Sequence, residues 1–127
     1  AAIVTIKEVV THTDNLENRF DRLFDALKER LADSLIQVRL GAADLLCILL
    51  PRCTSNKEVA SKLSEVVVFM DDESVEMRNS ISRFCETVAA IPQWKKPIIE
   101  ALNNLVNCNY HPEAAIMAKG LLSKLNQ

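Results

Sequence analysis

A chain of 127 residues, 49% apolar but only 5% aromatic, is one domain's worth and long enough to bury a core. With only two glycines it has few turn breakers, and much Leu and Ala, which is a helical composition. A net charge of −2 argues against a nucleic-acid or anionic-membrane partner, and no apolar run approaches the ~20 residues that span a bilayer.

The sequence opens at Ala1, directly in a helical pattern and without a basic-then-apolar leader, so it reads as a segment of a longer protein. Residues 1–12 place Ile3, Ile6 and Val10 on one face of a leading helix. Thr13-Asp14-Asn15 breaks it, and Asp14 with Glu17 has the spacing of a capping box for the next helix. That second helix carries Phe20, Leu23, Phe24, Leu27 and Leu31 in one stripe, after Leu16 at its start. Its other face is charged and solvated. Asp33-Ser34 turns the chain and caps a third helix that should bury Val38, Ala42, Leu45, Leu46 and Leu49 and stop at Pro51.

Ser55 with Glu58 has the spacing of another capping box. The fourth helix carries Val59, Leu63, Val66, Val67 and Met70. Val66 to Phe69 alone could be a strand, but the steps of three and four around it favour helix. Residues 71–74 turn into a fifth helix with Met77, Ile81, Phe84, Cys85 and Val88. Pro92 ends that element, and a sixth helix starts at Trp94 or Lys96 and carries Ile98, Ala101, Leu102 and Leu105. Pro97 is tolerated only near its first turn. Pro112 begins a seventh helix with Ala114, Ala118, Leu121, Leu122 and Leu125.

The pattern recurs. A shift of 39 residues places Phe24 on Leu63, Leu31 on Met70, Asp33 on Asp72, Arg39 on Arg78, Leu45 on Phe84 and Leu49 on Val88 without a gap. Going back by 39 places Ala42 on Ile3 and Leu49 on Val10. A third unit follows at a shift of 35 for its first helix and 37 for its second, where Arg78 becomes Ala115. The chain therefore divides into a leading helix (1–12) and three helix pairs (14–51, 54–90 and 92–126). A pair with one apolar stripe per helix cannot bury it alone, whereas stacked pairs share a continuous core.

Asp33…Val38-Arg39…Ala42, varied as Asp72…Met77-Arg78…Ile81, resembles the HEAT repeat of the HEAT/armadillo superfamily. The resemblance covers nearly the whole chain. It implies an all-α solenoid, about seven helices in a right-handed stack, with the second helix of each pair on the concave face. It also implies a scaffold that holds a protein or peptide partner. Non-core positions on those helices are Gln37, Leu40, Asp44, Glu76, Asn79, Arg83 and Glu86, where a bound segment would lie. Arg39 and Arg78 should each reach an aspartate at a neighbouring turn, with Asp33 and Asp72 as first candidates. That ladder should stop where Ala115 replaces the arginine.

A nucleic-acid-binding solenoid is the alternative, but it needs a basic stripe, and these helices mix Arg39 and Arg83 with Asp44, Glu76 and Glu86. Enzyme chemistry lacks a basis. His12 and His111 lie in separate turns, and two glycines make no phosphate loop. Cys47, Cys53, Cys85 and Cys108 form no C-x-x-C pair, so neither zinc nor any other cofactor is expected. They read as reduced thiols of a cytoplasmic or nuclear protein.

Overall fold

Residues 16–126 are described by a computed structural model, with side chains from Arg19 onward. The leading segment 1–12 and the Asp14–Glu17 capping pair fall outside the described residues or their side chains. Helices α1 (Leu16–Leu31), α2 (Ile36–Leu49), α3 (Val59–Val67), α4 (Val75–Ala89), α5 (Pro92–Asn107) and α6 (Pro112–Leu125) follow in order. Short 3₁₀ segments extend α2 (Leu50–Cys53) and α3 (Val68–Met70). No strand occurs among the described residues.

The stripe of α1 is buried from Phe20 to Leu31. Its Phe20 and Phe24 rings lie 5.5 Å apart at a tilt of 33°, and Lys62 of α3 sits 5.2 Å above the Phe24 ring. Helix α2 packs on α1 and on α4, α4 on α6, and α3 on α5, so all six helices are packed together. Adjacent pairs also meet, α3 with α4 and α5 with α6. Trp94, Phe84, Leu63 and Leu46 have at most 1% exposure and lie deep in one shared core. Val38, Leu122 and Leu125, expected in that core, are only half-buried, because they sit on the edges of α2 and α6.

Two local expectations hold with added detail, at Pro51 and at Val66 to Phe69, and two are corrected, at Ser55 and at the start of α5. Helix α2 ends at Leu49 ahead of Pro51, which sits in the opening turn of a 3₁₀ segment, where a missing N–H costs little. The cap of α3 is Glu58 rather than Ser55, since Asn56 Oδ1 first takes the Glu58 N–H at 2.9 Å and delays the helix start. Val66 to Phe69 divides between α3 and its 3₁₀ extension: Val66, Val67 and Met70 turn inward and Val68 turns out. Helix α5 begins at Pro92 itself, whose fixed φ suits a first helical residue. Pro97 then lies deeper than a first turn, and its ring nitrogen forgoes the bond to the Gln93 carbonyl.

Candidate functional site

The exposed face shared by α2, α4 and α6 carries the residues singled out from the sequence. Gln37, Asp44, Glu76, Asn79, Arg83 and Glu86 are exposed, and Leu40 is half-buried. Five of these seven meet in one groove of about 280 Å³ between α2 and α4: Leu40, Asp44, Glu76, Asn79 and Arg83, with Ser80. Ser80 is 2% exposed, and its hydroxyl oxygen accepts a 3.0 Å hydrogen bond from Arg83 Nη2. A buried hydroxyl thus orients an exposed guanidinium. Gln37 and Glu86 do not line this groove. Glu86 instead accepts from Lys124 at 2.7 Å and ties α4 to α6.

Ser80 and the α6 residues of the same face were missed in the sequence. The register that places Arg78 on Ala115 also places Glu76 on Glu113, Asn79 on Ile116 and Arg83 on Gly120. Ile116 is 70% exposed, and Glu113 and Gly120 are exposed beside it in the chain. A Cβ at Gly120 would meet nothing within 4 Å, so the face stays open there.

The arginines and aspartates lie at the turns instead. Arg39 Nε lies 3.3 Å from Asp72 Oδ2, with both side chains about one-seventh exposed. The buried Nε makes no hydrogen bond, so this contact is Coulombic rather than directional. The guanidinium also donates to the carbonyls of Asp33 and Ser34 at 2.9 and 3.3 Å. Arg78 behaves differently from the expected rung. Its Nη1 donates to the Asp72 and Glu73 carbonyls of its own turn at 2.9 and 3.1 Å, with no carboxylate partner among the described residues. Asp33 is not a rung either, because its Oδ1 accepts the N–H of Leu35 at 2.8 Å. Asp72 Oδ1 likewise accepts from Ser74, and Ser74 is the residue that caps α4 by accepting from Met77.

The series of turn-to-turn links continues past Asp72 by other chemistry. Asp71 accepts the backbone N–H groups of Tyr110 and His111 at 2.7 and 2.8 Å. It also meets His111 Nδ1 at 2.9 Å, and an ionised carboxylate can only accept, so that nitrogen donates. Burial alone would raise the Asp71 pKa, but these donors outweigh it and hold the carboxyl below its ordinary value. A pocket of about 310 Å³ lies among these turns, with Asp33, Asp71, Asp72 and Glu73 on its walls. Three of its four carboxylates already serve the protein's own N–H groups. Among the described residues no three His, Cys, Asp or Glu side chains are placed so that they could hold a metal ion together.

Cys53 and Cys85 are buried, Cys47 is half-buried and Cys108 is exposed. Burial, with Asp44 adding to it and Arg83 opposing, pushes the Cys47 thiol up to about 11. Burial chiefly, with smaller contributions from Cys47 and Glu86, raises Cys85 to about 12. Both thiols therefore stay protonated near neutrality and pack as small apolar groups. No helix among the described residues is long and apolar enough to cross a membrane. No protein-family model, curated protein or solved structure matches the chain.

Proposed function

We propose that the chain is a HEAT-like α-solenoid segment, a right-handed stack of helix pairs that serves as a protein–protein interaction scaffold. Its partner, a protein or peptide segment, lies along the face of α2, α4 and α6. The observation that carries this reading is the groove between α2 and α4, where Asp44, Glu76 and Asn79 make no ion pair or side-chain hydrogen bond among the described residues. Charged and amide groups left without internal partners, set around an oriented guanidinium, suit recognition of another chain. A cytoplasmic or nuclear setting is proposed with this role, from cysteines without a C-x-x-C pairing pattern.

A nucleic-acid partner is less well supported. Asp44 and Glu76 set two carboxylates beside Arg83 in the groove, Glu113 is exposed on α6, and Lys124 is already held by Glu86. Phosphate recognition needs the opposite balance. Selection from a random peptide display library tests the proposal. Enriched peptides should protect α2 and α4 from hydrogen exchange when bound, and Leu40→Arg should weaken them. An enriched set that protects only α1 and α3 would refute this face.

A further inference from the structure

We infer that the partner on this face is an extended, basic peptide segment with apolar side chains about six residues apart, a distance set by helix spacing. This rests on the scaffold reading above and narrows it. The charge argument comes first. Asp44 and Glu76 line the groove with one cation, Arg83, and neither they nor the exposed Glu113 of α6 makes an ion pair among the described residues. Arg83 is held by the Ser80 hydroxyl and offsets at most one of the two groove carboxylates, so the groove stays acidic on balance. An acidic segment would meet net like charge there, and a basic one would complement it.

The apolar argument follows from the repeat register. Leu40, Asn79 and Ile116 occupy one position on three successive helices. The outer two are apolar: Leu40 lines the groove, and Ile116 is 70% exposed. Packed helices lie about 8–10 Å apart, so the span from α2 to α6 is roughly 16–20 Å. An extended chain rises about 3.3 Å per residue and alternates faces, so the even step that fits is about six. The residues two and four places along point to the same side and reach Asp44 and Glu76. Asn79, between the two anchors, can meet a main-chain amide with both a donor and an acceptor. Gly120, with open space where a Cβ would stand, gives the segment clearance over α6.

Fluorescence anisotropy on the full chain tests this. The probe is a labelled synthetic peptide with leucines about six residues apart and lysines at the two inward places between them. Three matched probes carry glutamate for lysine, leucines at half that spacing, or a single-stranded oligonucleotide. The lysine peptide should bind best. The double change Asp44→Lys with Glu76→Lys should weaken it about tenfold and strengthen the glutamate peptide. Glu29→Lys on α1 should change neither. If the reversed pair does not fold, Asp44→Asn with Glu76→Gln should still weaken the lysine peptide. Equal or tighter binding of the glutamate peptide overturns the basic partner, as does indifference to leucine spacing or to the paired changes. So does failure of the lysine peptide to saturate by about 1 mM. In each of these cases, library peptides that map to α2 and α4 leave the scaffold reading standing. Preferential binding of the oligonucleotide overturns both.

Discussion

At the residue scale, burial and hydrogen bonding separate the positions that hold the fold from those free to bind. Phe84 has no exposed surface and matches Leu45 in the preceding repeat, and both belong to the core. Phe84→Ala should cost about 3–5 kcal/mol, from lost transfer energy and the cavity left behind. A urea series yielding less than about 1 kcal/mol would contradict that packing. Gly120→Ala should act in the opposite sense. No atom lies within 4 Å of the added methyl, and alanine loses less backbone entropy on entering a helix, so stability should rise by about 0.4–1 kcal/mol. Asp71 adds a pH dependence whose sign is fixed. Its folded pKa lies below the ordinary 3.8, so its contribution is fully present above that value and is lost as pH falls through the folded pKa. Denaturation from pH 7 down to about pH 2 should show an acid loss that is smaller in Asp71→Ala. An identical acid limb in both proteins would remove Asp71 as its source.

At the scale of elements, helix periodicity made the stripes of α1, α3, α4 and α5 legible, because a stripe needs only side-chain spacing. The face of α2 and α4 was legible for the same reason: what does not point inward is left outside. The turns were not, because short polar side chains choose between several backbone N–H groups within a few residues. Asp33 and Asp72 satisfy N–H groups ahead of the helix, and Ser74 rather than either aspartate caps α4. The two arginines share a position but not a role. Each closes its own turn, but Arg39 also reaches Asp72 in the next, and Arg78 is only 9% exposed. The third turn, two residues longer and without an arginine, presents backbone N–H groups to Asp71 instead. Loss of Arg78 leaves two carbonyls without their charged donor, so Arg78→Met should lower stability by about 1–3 kcal/mol. Arg39 also donates to two carbonyls of its own turn, but its Ser34 bond is longer and exposed and its Asp72 contact is no linear hydrogen bond, so Arg39→Met should cost less, about 0.5–1.5 kcal/mol. Chemical denaturation of the two variants side by side decides. A greater loss for Arg39 would reverse the assignment.

At the scale of the whole molecule, stability should be distributed by neighbours rather than uniformly. Helix α4 touches α2, α3, α5 and α6, and eight of its residues are buried, including Phe84, Met77 and Arg78. Helix α6 packs on α4 and α5, and among the described residues it buries only Ala114, Ala118 and Leu121. Leu122 and Leu125 at its end are half-buried, and Ile116 stands out in solvent. In the proposed stack, whose units would contact mainly their neighbours, opening is easiest where the fewest contacts must be broken. Native-state hydrogen exchange should therefore find α4 amides opening only with global unfolding and α6 amides opening by a cheaper local route. The Glu86–Lys124 bridge is an exposed pair and should not close that gap, so Lys124→Ala should leave the α6 rates nearly unchanged. Phe84→Ala should bring the two helices closer together, because it weakens α4 while α6 already opens independently. Equal protection of α4 and α6 in the unmodified chain would mean that the six helices open as one unit, and the nearest-neighbour account of this molecule would fail.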